Sequence, residues 1–466
     1  MPSGDAKRFW STPWGRCLQW VISFAVMIAA LLWPAFWNGF PLVFYDSGGY
    51  LTRPFEGSLA FGRSALYGRF LAFGIPSNFW LVALTQAALT AWLLTLVLRV
   101  HGISWRPWTP VALVVTLAIA TSLPWYASQL MPDIFLPAAV LALYLVAFHW
   151  ANLRLGEVIF LGVAVVLAMA SHMAFLLLCI GLAAAIGVLR AFASRARLLR
   201  PRLRVPVAVV AIGILAVPIS NLAVTGHFAF TPGGANFVFA RLIDDGIATR
   251  YLADKCPDAS LRLCTYRNDM PPTGDEWLWG RSPLFGALGG PQGFEDEARR
   301  IALETLMLYP GDHLRLAATN TLRQFLLLKT GDGLSGRMDH TDDALRTYAP
   351  TTFDAYESAR QQQGILEFEW INLIHVPVAL LCLIALPVLI GLGFVSSVRP
   401  AEATFALFVL LALIGNAAIC GLLSLPSDRY QNRLVPLAPL AVAIAVLRGR
   451  PRVLAEDPTN GSSANS

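Results

Sequence analysis

Residues 17–38 read CLQWVISFAVMIAALLWPAFWN, twenty-two consecutive positions without one charged side chain. A hydrocarbon layer about 30 Å thick is crossed by roughly 20 apolar helical residues, because no water is there to pair a free peptide group. The stretch is too long for the apolar part of a cleaved leader, and no small-residue cleavage pattern follows it, so it reads as an anchor. Nine further apolar blocks follow, at about 78–99, 108–124, 132–150, 157–171, 173–190, 205–223, 371–395, 402–423 and 433–448. The fifth and sixth blocks are divided only at Ser171-His172 and read either as two helices or as one broken helix.

Composition points the same way. Of 466 residues 56% are apolar and 14% charged, whereas a soluble domain carries about a quarter charged residues. The expected class is an all-α polytopic membrane protein with about ten transmembrane helices. Residues 1–223 form a first bundle of about seven, 224–370 a soluble domain, 371–448 about three more, and 449–466 a polar tail.

Lys and Arg placement sets the orientation. With the N-terminus inside, sixteen basic residues fall in inner segments, six of them in the run Arg190/Arg195/Arg197/Arg200/Arg202/Arg204. The short outer segments hold five: Arg53, Arg63, Arg69, Arg429 and Arg433. Both termini are therefore expected in the cytoplasm, in a multi-pass protein of a bacterial inner membrane. The same bias accounts for the net charge of +6, so no nucleic-acid partner is needed. The arginine run also suits anionic membrane lipid.

Residues 224–370 break the apolar pattern and hold 20 of the 29 acidic residues. They read as one small, mainly helical domain on the outer side. Its amphipathic stretches include 295–308 and 312–328, with apolar residues at helical spacing. Cys256 and Cys264 sit eight apart there, on the side expected to be oxidising, so a disulfide is expected between them. Cys17, Cys179, Cys382 and Cys420 fall in apolar blocks and read as small hydrophobes.

Four segments carry residues suited to chemistry. The first outer loop runs Pro41-Leu-Val-Phe-Tyr-Asp46-Ser-Gly-Gly-Tyr50 and then Gly62-Arg63-Ser-Ala-Leu-Tyr67-Gly-Arg69. Asp46, at the end of the first span among aromatics with a glycine pair to turn the chain, reads as a partly desolvated base or as a helix cap. Asp133 in Met131-Pro-Asp133 opens the fourth span on the same face, as a dipole-matched helix start or as a second acid. The two acids could share a divalent metal, or one could orient the other. Asp428-Arg429-Tyr430-Gln-Asn-Arg433 precedes the last span; two outer arginines suit a phosphate, an Asp428–Arg429 pair or lipid headgroups. His172 reads as a cavity-lining or a structural histidine. No phosphate-binding glycine loop, His-Glu-x-x-His or Gly-x-Ser-x-Gly occurs, which disfavours ATP-driven transport, zinc proteolysis and common serine lipases.

This constellation resembles the GT-C superfamily of polyprenyl-phosphate-sugar-dependent membrane glycosyltransferases. The residues that carry the resemblance are Asp46 with Ser47 and Tyr50 after the first helix, Asp133 at the fourth, and Asp428-Arg429-Tyr430 with Pro436 and Pro439 at the last. Where many members have two adjacent acids, this chain has Asp46-Ser47, and Glu56 is the next acid. The resemblance implies Asp46 as the general base or the carboxylate that positions the acceptor, and an arginine such as Arg429 as the holder of the donor phosphate. With Asp133 as a second catalytic candidate, Tyr50, Arg63, Arg69, His172, Tyr430 and Arg433 are the further residues expected to meet the substrate. The implied partners are a polyprenyl-phosphate-linked sugar, membrane lipid and an acceptor glycan, lipid or protein; no cofactor is required beyond a possible divalent metal. A transporter or flippase of a lipid-linked glycan would instead show inverted halves, and no such symmetry is seen. An O-antigen-ligase-like transferase places its large loop later in the helix order.

Overall fold

The computed structural model describes residues 12–57, 65–103, 106–226, 228–231, 233–280, 283–336, 338–395 and 399–448. Arg63 and the tail 449–466 lie outside them. The chain is helical, and among the described residues the extended pairing is confined to one isolated bridge between Leu42 and Gln129. Among the described residues seven helices are long and apolar enough to cross a membrane, and the chain is a multi-pass membrane protein.

Helix α1 (Pro13–Asn38) starts on a side-chain cap, Thr12 accepting from the Gly15 amide, and stops at Gly39, which takes a φ of 84°. Two short amphipathic helices follow, α2 (Tyr45–Glu56) and α3 (Ala65–Gly74), then α4 (Trp80–Val100) and α5 (Trp108–Ala120). After a break come α6 (Phe135–Phe148), α7 (Leu155–Ser171), α8 (Met173–Phe192) and α9 (Arg204–Thr225). Every residue from Leu136 to Ala147 in α6 is buried, so α6 is the central helix, apolar all round as such a position requires. Three expected spans, Trp108–Ala120, Pro132–Phe148 and Leu155–Ser171, are shorter than the rest.

His172 has extended backbone, φ −157° and ψ 134°, between α7 and α8. The start of α7 is tied to the end of α4 by Arg99–Glu157, and Arg190 at the end of α8 donates to the Pro201 carbonyl. Both of those ends lie at one face of the bundle, because the Arg202 amide reaches the end of α6 at Ala147. The chain therefore reverses at His172, and the two blocks are two helices.

The polar segment has its own core, in which Phe239, Trp277 and Phe294 pack edge to face around Tyr251 and Ile301. It contains α10 (Gly234–Asp244), the consecutive helices α11 (Glu295–Leu308) and α12 (Pro310–Phe325), and α13 (Asp339–Tyr348). The expected stretch 312–328 is helical only to Phe325. Cys256 and Cys264 are joined as a disulfide with Cα atoms 5.5 Å apart.

The chain then returns through α14 (Glu369–Phe394) and α15 (Pro400–Leu423) to the short α16 (Asp428–Asn432) and α17 (Leu437–Arg448). The last expected span, 433–448, is thus helical only from Leu437.

At the face away from the polar segment lies a second polar cluster. The His101 Nδ1 lies 2.9 Å from the Val97 carbonyl and its Nε2 3.2 Å from the hydroxyl of Tyr144, which donates to the Ala401 carbonyl at 3.3 Å. His149 Nε2 stands 3.0 Å from the same hydroxyl. Glu402 pairs with Arg448 alongside, at 3.5 Å.

Candidate functional site

The loop after α1 is held from both sides. Asn38 donates to the Phe40 carbonyl, and Gln361 pairs with Val43 as a strand would, accepting from its amide at 3.0 Å and donating to its carbonyl at 2.8 Å. That fixes the entry to α2, where Ser47 Oγ accepts from the Phe44 amide at 2.9 Å and donates to the Leu130 carbonyl at 3.0 Å. Ser47 therefore ties off the helix start, and Asp46 projects from the first turn without acting as the cap. The glycine pair expected to turn the chain lies inside α2. Gly48 is small because a Cβ there would come within 2.7 Å of the Thr341 Cα, so α2 and α13 pack backbone to backbone.

Asp133 sits in a 3₁₀ turn, Pro132–Ile134, at the head of α6. Non-helical backbone inside a membrane bundle needs internal partners, and Gln86 of α4 supplies them. Its amide donates to the Ala127 and Gln129 carbonyls at 3.1 and 2.9 Å, and its oxygen accepts from Tyr67 at 3.0 Å.

Arg429 and Arg433, one turn apart across α16, face Asp133. Arg429 donates to both Asp133 oxygens, from Nε at 3.1 Å and from a terminal nitrogen at 2.8 Å; its other terminal nitrogen reaches Asp46 Oδ2 at 3.4 Å. Arg433 donates to Asp133 Oδ1 at 3.0 Å and to Asn416 Oδ1 at 3.4 Å. Its Nε has no hydrogen-bond partner among the described residues. Two acids and two guanidinium groups thus form one balanced network. The Asp133 and Arg433 side chains are fully buried and that of Arg429 is 5% exposed, whereas that of Asp46 is 27% exposed.

Aromatic rings wall the network. Phe44 lies 3.9 Å from the Arg429 guanidinium, Phe175 lies 4.8 Å from that of Arg433, and Tyr430 flanks both at 5.9 and 5.2 Å. Rings at these distances stabilise the cations while keeping water away. Phe44 is itself backed by Gly333, where a Cβ would fall 1.9 Å from the ring.

Of the expected site residues, Asp46, Asp133, Arg429, Arg433 and Tyr430 come together. His172 stands at the edge: it accepts from the Ala174 amide as the cap of α8 and stacks at 4.9 Å on Phe175, the ring that also meets Arg433. Tyr50 does not join them; it is buried in an aromatic core, edge-on to Tyr67 at 5.2 Å. Arg69 is exposed on α3, and Arg63 falls outside the described residues.

The expected Asp428–Arg429 pair is not what forms. Asp428 accepts from the Lys329 amide at 2.7 Å, and Arg429 turns inward to Asp133. A metal shared by Asp46 and Asp133 does not fit either, because the guanidinium of Arg429 takes the bridging position between them. Among the described residues no three His, Cys, Asp or Glu side chains stand together as a metal-binding group.

Reasoning from sequence missed Gln86, Asn416, Gln361 and Asp332, which accepts from the Arg429 amide at 3.1 Å. Gln86 and Asn416 had a signal: each is a side-chain amide in the middle of an apolar span. Compared with known proteins, the chain matches no family model, no curated protein and no solved structure.

Proposed function

We propose that this chain is a membrane glycosyltransferase similar to the GT-C superfamily, moving a sugar from a polyprenyl phosphate to an acceptor at the outer face of a bacterial inner membrane. The observation that carries the reading is the asymmetry around Arg429. One edge of its guanidinium is locked bidentate onto buried Asp133, while the other makes a 3.4 Å contact to the part-exposed carboxylate of Asp46. A donor phosphate exchanges with Asp46 for that free edge. Asp46 is then released beside the reacting centre as a base.

In the transfer, the acceptor oxygen bonds to the anomeric carbon as the bond from that carbon to the phosphate oxygen breaks. The electron pair leaves with polyprenyl phosphate, whose charge Arg429 meets, and the acceptor proton passes to Asp46. The site acts chiefly by placing charge where it develops, in a volume from which rings exclude water. Asp133 is too enclosed to take a substrate proton; its role is to position both arginines. Metal chemistry has no part in this scheme.

Orientation agrees with the reading. If the three shorter apolar helices cross together with the seven long ones, and both termini are cytoplasmic, the helix ends bearing Arg99, Arg190 and Arg448 lie on the inner face and the charge network on the outer face. Residues 224–370 then lie outside, in a compartment where the Cys256–Cys264 disulfide persists.

The test is turnover by the purified protein of labelled polyprenyl-phosphate sugars carrying hexoses, pentoses and amino sugars. The reading expects free polyprenyl phosphate to accumulate with at least one donor. Translocation of intact donor across vesicles without release of the phosphate would replace the enzyme by a flippase.

A further inference from the structure

The consecutive helices α11 and α12 expose apolar side chains that their own domain does not cover. Leu303, Leu306, Met307, Leu314, Leu322 and Leu326 are each between 53% and 76% exposed. On α12 they recur at every fourth or eighth position, so they share one side. Scattered exposed leucines need no explanation, but a contiguous apolar set marks a contact surface.

What covers the face follows from where α12 ends. Phe325 packs against the core of the transmembrane bundle and Leu328 belongs to it, so the end of α12 reaches the depth at which that core begins. Along the same stretch α12 lies against the last turns of α15, close enough that a Cβ on Gly421 would meet the Asn320 carbonyl at 2.8 Å. Leu322 and Leu326 point away from that contact, at the height of Leu422 and Leu423, which are themselves exposed on α15. Their surface is therefore continuous with the lipid-facing side of the bundle. Arg315 and Arg323 stand exposed beside the leucines, as charges do when they reach from a buried apolar face to headgroups.

We propose that the consecutive helices α11 and α12 are seated in the membrane leaflet on the site's side, with lipid covering their exposed leucines. The opposite face of α12 holds the approach to the charge network: Gln324 donates to the Ser427 carbonyl at 2.8 Å and accepts from its amide at 3.0 Å, two residues before Arg429. α12 thus fixes the height of the site against the bilayer. This stands apart from the sugar-transfer reading and is tested without any substrate.

The experiment puts a nitroxide on single cysteines, Met307→Cys or Leu322→Cys, in the full chain with Cys17→Ser and Cys382→Ser. Asp275→Cys, exposed on the separate helix Gly274–Trp279, is the control. The proteins are reconstituted in phosphatidylethanolamine–phosphatidylglycerol vesicles, and collisions with oxygen and with a water-soluble nickel chelate are compared. Oxygen is expected to dominate at 307 and 322, with the ratio reversed at 275. Dominance of the nickel chelate at all three positions would overturn the proposal in favour of open water. Loss of both collision rates at 307 and 322 would overturn it in favour of a protein cover, such as a second copy. If Leu322→Cys does not fold, Leu314→Cys gives the same reading.

Discussion

The two polar clusters of the bundle, one at each face, differ in which partner meets the solvent. At the face bearing the polar segment the guanidinium lies inside, 5% exposed, and the carboxylate of Asp46 lies outside at 27%. At the opposite face the order is inverted: the Glu402 carboxylate is 2% exposed and the Arg448 guanidinium 25%. An acid outside with a cation behind it offers an incoming molecule a base and, after exchange, an anion site. A cation outside with an acid behind it offers a charge to headgroups and a lock for helix ends. Both clusters are buried, aromatic-lined and rich in hydrogen bonds, so polarity alone does not mark the reactive one. Access and the order of the charges do.

The largest expected effect breaks the first cluster from within. Asp133→Leu leaves Arg429 and Arg433 enclosed with only Asp46 to balance them, and an uncompensated buried charge costs about 3–5 kcal/mol. The expected outcome is a strongly lowered unfolding midpoint and poor recovery of monodisperse protein, followed by thermal unfolding in detergent. A variant as stable as the parent would mean that the network does not hold the helices.

The second cluster gives the contrasting result. Glu402→Gln is expected to change stability by no more than about 1 kcal/mol, since its partner Arg448 can turn to water, and to leave any sugar transfer unchanged. A transfer rate that falls with Glu402→Gln would end the contrast between the two faces.

A smaller effect belongs to the polar segment, outside the bundle. Arg300 donates to Glu304 at 2.7 Å and Tyr251 donates to it at 2.6 Å, and these bonds hold its carboxyl below its ordinary value of 4.5. A lowered value means that the stabilisation is present above the unfolded-state value and is lost as pH falls through the folded-state one. The expected loss is roughly 0.5 kcal/mol on acidification from pH 5 to pH 3, as for a surface pair. It is read as a shift in the near-ultraviolet dichroism midpoint that Glu304→Gln abolishes.

Much of the architecture was legible because membrane burial is written locally: each apolar block overlaps a helix, and 295–308 matches α11 residue for residue. The breaks were less legible. The turn before Asp133 falls in the gap between the expected blocks 108–124 and 132–150, but the non-helical Thr121-Ser122 and 433–436 lie inside expected blocks. They persist because distant side chains pair their backbone: Ser122 donates to the Asn432 carbonyl at 2.8 Å, and Gln86 serves the loop at 127–129. Asp46, Asp133, Arg429 and Arg433 were found because charges at the rim of a span are costly and therefore conspicuous. Their pairing was not, since Arg429 adjoins Asp428 in sequence yet turns to an acid almost three hundred residues away. Tyr50 looked like a site aromatic because burial of a tyrosine in a neighbouring core leaves no trace in its own segment.

The account rests on Asp46 as the one acid of the network that both meets solvent and shares a guanidinium. Its most direct test is transfer from a polyprenyl-phosphate sugar by purified Asp46→Asn beside the parent protein, with both shown folded by thermal unfolding. Loss of a positioned base is expected to lower the rate by about 10²–10⁴-fold while the unfolding midpoint stays close to that of the parent. Transfer at the parent's rate by a folded Asp46→Asn protein would contradict it.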